Sequence, residues 1–172
     1  MRLLSKLRWS RMLANGIPAA IQAVIIDVDG VLTNGLKFYS DSGSRGLSFN
    51  VKDGVAFSLL EEMNVCPIVI SASNFDCIRA RMGDLNVKNV ALNCSDKLLA
   101  ATNILNSLQV QPDAVAVIGD DIGDLPLFDY CGLSVAPSDA VERVRARADV
   151  VLKSRGGEGV LREFYEKLIR HD

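Results

Sequence analysis

Ala23-Val-Ile-Ile-Asp27-Val-Asp29-Gly-Val-Leu-Thr33 sets an unbroken apolar run directly against two carboxylates and a glycine. The run at 23–27 is short, rich in Ile and bounded by polar residues, the pattern of a strand buried on both faces in a parallel sheet. Alternate residues on a strand point the same way. Asp27 and Asp29 are therefore expected to face one crowded pocket at the strand's carboxyl end. Like charges that close are costly unless a cation or a proton intervenes, and hard oxygen ligands suit Mg²⁺. Gly30 lets the chain turn sharply past the pocket. Taken alone, Asp-x-Asp-Gly also suits a helix cap or an Asx turn.

The same rhythm continues outward from this stretch. Residues 67–71, 114–119, 133–136 and 149–152 read as further strands, and residues 54–63, 74–85, 96–108, 125–130 and 158–169 as helices. In the last helix Val160, Phe164 and Leu168 share one face. Strands alternating with helices predict an α/β fold, a Rossmann-like three-layer sandwich around a parallel sheet. Residues 35–51 break the alternation. Apolar and polar residues alternate on either side of Ser40-Asp-Ser-Gly-Ser44, which predicts a β-hairpin with a four- or five-residue turn. Ligands of open α/β sheets bind at the carboxyl ends of the strands, so a hairpin directly after the first strand is a candidate flap over the site. An isolated hairpin is marginally stable, which points to packing against another subunit.

The chain has 172 residues, 49% of them hydrophobic and 23% charged, with a net charge of −2. That length suits one domain with a real core. No basic stripe dominates, which argues against nucleic acid. Four cations and no acid lie in residues 1–26, so the rest of the chain carries −6. Residues 1–20 read as a basic N-terminal helix or extension, and residues 21–172 as a single domain. No run reaches the roughly 20 apolar residues of a membrane helix. Cys66, Cys77, Cys94 and Cys131 form no Cys-x-x-Cys pair, and the single histidine is His171. Zinc is therefore not expected, and reduced thiols suit a cytoplasmic protein.

Three more features carry chemistry. Gly119-Asp120-Asp121-Ile-Gly-Asp124 follows a strand, where Asp120 and Asp124 can flank a metal brought by Asp27. A helix start also favours Asp, which accounts for one acid better than for three. Ser71 ends a predicted strand and can hydrogen-bond a phosphate oxygen. Lys97 opens a predicted helix and can offset phosphate charge. Taken singly, Ser71 and Lys97 are ordinary surface residues.

In chain order, Asp-x-Asp, Ser, Lys and Gly-Asp-Asp-x-x-Asp, each at a strand end or a helix start, resemble the four motifs of the haloacid dehalogenase superfamily. The resemblance implies that Asp27 is a nucleophile that forms an aspartyl-phosphate and also a Mg²⁺ ligand. It implies that Asp29 is general acid and then base, with its backbone carbonyl on the metal. Asp120 would supply the second carboxylate to the metal, and Asp121 would orient the ligands. Ser71 and Lys97 would hold the phosphoryl oxygens. Larger members insert a cap domain after the first or second motif. The stretches from Thr33 to Ser71 and from Ser71 to Lys97 are too short for one, so a capless enzyme is expected.

With Asn50-Val-Lys-Asp-Gly54 after the hairpin and Arg155-Gly-Gly-Glu-Gly159 near the end, the chain resembles the 3-deoxy-manno-octulosonate 8-phosphate phosphatases. That resemblance implies a homotetramer whose hairpins are shared between subunits. It implies a substrate pocket lined by Asn50, Val51, Lys52, Asp53, Gly54, Arg81 and Lys97, with the Gly156-Gly157 turn nearby. The substrate class it implies is a phosphorylated 3-deoxy-2-keto sugar acid, of lipopolysaccharide or sialic-acid biosynthesis. One departure stands out. Ser71-Ala72-Ser73 replaces the family's usual Thr-Gly-Arg, which keeps the hydroxyl and removes a bidentate anion partner. Eight-carbon 8-phosphates and nine-carbon 9-phosphates both stay open. The rival expectation is a non-catalytic oligomerisation module like the C-terminal part of sialic-acid cytidylyltransferases. Such modules have lost catalytic acids, whereas this chain keeps both acids of the first motif and those of the last.

Overall fold

The apolar run at 23–27 does form a strand, β1 (Ala23–Ile26), in a computed structural model that describes residues 21–169. The basic helix expected over residues 1–20 lies outside the described residues. Five further parallel strands join β1: β4 (Cys66–Ile70), β5 (Asn89–Ala91), β6 (Val115–Ile118), β7 (Leu133–Ala136) and β8 (Val150–Val151). The sheet order is β5-β4-β1-β6-β7-β8. The chain passes outward from β1 through β4 and β5, then returns to place β6 on the other side of β1. The connections diverge at β1, the position where such sheets open a ligand crevice.

Alternation along the strands builds two cores. Val24 and Ile26 face one layer, packed with Ala56, Phe57 and Leu60 of α1 (Val51–Glu62), Ile78 and Met82 of α2 (Asp76–Asp84), and Phe164 and Leu168 of α6 (Val160–Ile169). Ala23 and Ile25 face the other, with Ala101 and Leu105 of α3 (Lys97–Leu108), Leu127 and Phe128 of α4 (Leu125–Tyr130), and Val144 of α5 (Glu142–Arg145). The three-layer sandwich is thus confirmed. Each fully buried Leu, Ile or Phe contributes roughly 1.5–3 kcal/mol.

Three local outcomes differ from the sequence pattern. The strand β5 and the short helix α5 were not expected. Helix α1 begins at Val51 rather than Gly54, because the Asn50 side chain caps it by accepting from the Lys52 N–H at 2.9 Å. The hairpin is present with its turn at Ser40–Ser44, closed by Ser40 N–H donating to Ser44 O at 2.9 Å. Its ladder is shorter than expected, pairing only β2 (Phe38–Tyr39) with β3 (Arg45–Gly46).

Candidate active site

The parallel ladder runs one residue past the strands and so fixes the site backbone. Asp27 N–H donates to Ile118 O at 3.0 Å, Gly119 N–H to Val135 O at 3.1 Å, and Ser71 N–H to Ala91 O at 2.9 Å. Asp27, Ser71 and Asp120 therefore meet along one edge, at the carboxyl ends of β1, β4 and β6. After Asp27 the chain turns tightly through Val28–Leu32, and Thr33 N–H closes the turn on Val28 O at 3.0 Å. Gly30 sits in this turn at φ +85°, and a Cβ there would collide with the Asp120 carboxylate. The Gly156-Gly157 turn backs it. Gly157 N–H donates to Val31 O at 2.9 Å, and a Cβ at 156 would run into the Gly30 carbonyl.

Three carboxylates converge. Asp27, Asp120 and Asp124 each offer an oxygen within 4.8 Å of the others. Lys97, the first residue of α3, lies between two of them, with Nζ 2.8 Å from Asp27 Oδ1 and 2.7 Å from Asp124 Oδ1. Its position follows from Asp96, which caps α3 by accepting from the Leu99 N–H at 2.9 Å. The other oxygen of Asp124, Oδ2, accepts from the amides of Asp120 at 3.1 Å and Asp121 at 3.3 Å. Asp124 is thus a brace that orients Lys97 and the 120–121 backbone. Asp121 is exposed and caps the following turn through Ile122 N–H at 2.7 Å.

The electrostatics are those of an acid cluster short of positive charge. Burial, and then the Asp124 charge, push the Asp27 carboxyl up to about 6 despite Lys97. Burial, with the charges of Asp27, Asp124 and Asp121, pushes Asp120 up to about 8. Burial alone would lower Lys97, but Asp27 and Asp124 outweigh it and raise the ammonium to about 12. Asp120 Oδ1 and Asp29 Oδ1 are buried without a hydrogen-bond partner among the described residues. Orphaned oxygens in an all-oxygen set fit a hard divalent cation, which would supply the charge that the cluster lacks.

Asp29 departs from the strand-alternation picture. It lies in the turn rather than on the strand, and its carboxylate is outside the three-acid cluster. Its Oδ2 instead meets Lys37 Nζ of the hairpin stem at 3.5 Å. Ser71 is buried at the same edge, its Oγ accepting from the Ser73 N–H at 3.0 Å.

The segment carrying Asn50, Val51, Lys52, Asp53 and Gly54 joins the site less directly. Asn50 Nδ2 donates to Gly157 O at 3.1 Å, tying α1 to the turn behind Gly30. Val51 and Lys52 are exposed, and the Arg81 guanidinium packs over Gly54. Asp53 is buried and caps α6, its Oδ1 accepting from the Arg162 N–H at 3.0 Å. Lys37, Arg45 and Phe75 at the site mouth were not singled out from the sequence. Their meeting joins the hairpin to the loop after β4, and no local pattern announces it.

A model of haloacid dehalogenase-like hydrolases matches residues 72–164, more than half of the chain. The chain belongs to the haloacid dehalogenase-like hydrolases. It is 36% identical to the 3-deoxy-D-manno-octulosonate 8-phosphate phosphatase of Haemophilus influenzae, over 87% of this chain and 83% of that protein. A cobalt-bound structure of the deoxy-D-mannose-octulosonate 8-phosphate phosphatase from H. influenzae matches with a TM-score of 0.85 at 35% identity, covering 89% of this chain and 90% of that one. The enzyme from Moraxella catarrhalis, in complex with magnesium ion, phosphate ion and a KDO molecule, matches at 0.86 with 26% identity, covering 90% and 88%. As in the sequence expectation, no cap domain is present among the described residues. Between β1 and α1 stand the Val28–Leu32 turn and the β2–β3 hairpin.

Proposed function

We propose that this hydrolase is a Mg²⁺-dependent phosphoric monoester hydrolase acting on a 3-deoxy-2-keto sugar acid phosphate, with 3-deoxy-manno-octulosonate 8-phosphate as the substrate. The observation that carries the reading is the buried Asp27 carboxylate, set against Lys97 and facing Asp120 at the carboxyl ends of β1 and β6. The relatives that share this fold over most of their length carry that substrate in their names.

Asp27, Asp120 and the Asp29 carbonyl would hold the cation, which supplies positive charge beside the transferring phosphoryl group. The chain's own residues do the rest. An Asp27 oxygen attacks phosphorus, the ester P–O bond breaks, and Asp29 gives its proton to the departing alcohol. Water then attacks the aspartyl-phosphate and passes a proton to Asp29. The Asp27 O–P bond breaks and phosphate leaves. Lys97 and Ser71 hold the phosphoryl oxygens, and Asp124 keeps Lys97 aligned. Alignment and charge neutralisation account for most of such catalysis. Asn50, Val51, Lys52, Gly54 and Arg81 stand as the substrate-facing set, while the geometry gives Asp53 a helix to cap.

The hairpin supports a shared-subunit arrangement. Leu36, Phe38 and Tyr39 are 72%, 64% and 63% exposed, apolar surface suited to contact with a second copy in a homotetramer. Among the described residues, no helix is long and apolar enough to cross a membrane. A cytoplasmic step in lipopolysaccharide biosynthesis is the setting that follows from this substrate.

Phosphate release from octulosonate 8-phosphate, a nine-carbon sialic-acid-type 9-phosphate and glucose 6-phosphate, each with Mg²⁺ and with chelator, tests the reading. Metal-dependent release with preference for the eight-carbon acid is expected. Preference for the nine-carbon acid would replace the substrate. No release from any of the three would return the chain to a non-catalytic assembly role. Light scattering on the same sample reads the tetramer.

A further inference from the structure

The mouth of the site holds two cations that the chemistry above does not use. Phe75, 7% exposed, precedes α2 in the loop after β4. The hairpin lays both of its cations on this ring. The Arg45 guanidinium carbon is 4.5 Å from the ring centroid, and Lys37 Nζ is 5.2 Å from it. Lys37 Nζ also lies 3.5 Å from Asp29 Oδ2, the group assigned to the leaving alcohol. Arg45 makes no ion pair among the described residues. Lys97 is already engaged by Asp27 and Asp124. A cleft of about 400 Å³ opens beside Lys37, lined also by Asn34, Leu36, Leu47 and Ser48.

We propose that Lys37 and Arg45, braced on Phe75, form a subsite for a second anionic group of the substrate, its carboxylate, and so select acidic over neutral sugar phosphates. The proposal rests on the reading of the acid cluster as a phosphomonoesterase site. Lys37 borders both Asp29 and this cleft, so a substrate whose ester oxygen meets Asp29 has the cleft one side chain away. Both cations lie against one ring, 5.2 and 4.5 Å from its centroid, and an anion within reach of both would be attracted by two positive charges at once. Stacking on the ring also limits the freedom of both side chains before the ligand arrives, which lowers the cost of binding it. The planar Arg45 fork suits a carboxylate bidentately, with Lys37 as a point charge beside it.

The test compares 6-phosphogluconate with sorbitol 6-phosphate, linear phosphomonoesters that differ in a terminal carboxylate. Binding is read by calorimetry with Mg²⁺ in the Asp27→Asn chain, so that neither is consumed. The carboxylate-bearing ligand is expected to bind roughly ten-fold more tightly. Arg45→Met and Lys37→Met should each move that ratio toward one, and Arg45→Lys should restore part of it. A parent chain without the preference, or variants that keep it while only melting earlier, would overturn the subsite and leave Lys37 and Arg45 as hairpin anchors. The native chain is assayed alongside. Phosphate release without carboxylate preference sinks the subsite alone, whereas no release from any phosphomonoester sinks the site reading and the subsite with it.

Discussion

Lys97 is held between Asp27 and Asp124, and burial together with the Asp124 charge pushes the Asp27 carboxyl upward despite this cation. Removing one member of a buried charge set leaves the others uncompensated, at a cost of about 3–5 kcal/mol. Lys97→Ala should therefore lower the melting temperature as well as kcat/KM, and added Mg²⁺ should recover part of the melting loss by restoring positive charge. An unchanged melting curve with unchanged kinetics would make Lys97 a bystander. Asp27→Asn acts differently, since it keeps the shape and one hydrogen-bond acceptor for Lys97 but removes the carboxylate proposed as the nucleophile. Turnover should fall by about 10³-fold or more, with circular dichroism and assembly unaltered. A near-normal rate in that variant would remove Asp27 from the chemistry.

At the scale of elements, one buried acid joins two helices. Asp53 of α1 caps α6 through the Arg162 amide, with the Leu161 and Gly159 amides also stabilising its anion against the penalty of burial. Losing a cap costs about 0.5–2 kcal/mol. Asp53→Ala should lower the melting temperature and leave KM for the sugar-acid phosphate near that of the native chain. A large rise in KM without loss of stability would instead put Asp53 in the substrate pocket. This link also shows what the sequence could and could not disclose. The strands β1, β4, β6, β7 and β8 were legible, because short apolar runs bounded by polar residues or Gly leave little choice. The edge strand β5 was not. It is three residues long, begins with Asn89 and is only partly buried, so it lacks an apolar run. Likewise α5 has four residues, too few to show a helical period. The partnership of Asp27, Ser71, Lys97 and Asp120 was legible through motif order, each residue being at a strand end or a helix start. The partners of Asp29, Asp53 and Asp124 come from distant segments or from backbone amides, and no periodicity encodes them.

For the whole molecule, the acid cluster couples stability to pH and to the cation together. Asp27 and Asp120 titrate near 6 and near 8 in the metal-free fold, above the ordinary value of 3.8. The folded chain therefore binds protons there that the unfolded chain has released. Their contribution to stability is full below the unfolded value and is lost as pH rises through about 6 and then about 8. Glu163, held low by the Lys153 and Ser154 amides despite its own burial, acts in the opposite sense but in the acid range, so it does not mask this window. A bound cation requires the ionised carboxylates. The chelated protein should accordingly melt at lower temperature as pH rises from 6 to above 8. The Mg²⁺-induced upshift should grow over the same interval, reaching about 2.7 kcal/mol where the cation stands at 100 times its dissociation constant. Calorimetric melts with and without Mg²⁺ across that range provide the reading. Asp120→Asn removes the carboxyl pushed up furthest, so it should flatten the metal-free slope and weaken the Mg²⁺ upshift together. A pH-independent upshift in the native chain, or a slope that survives Asp120→Asn, would place the cation away from this cluster.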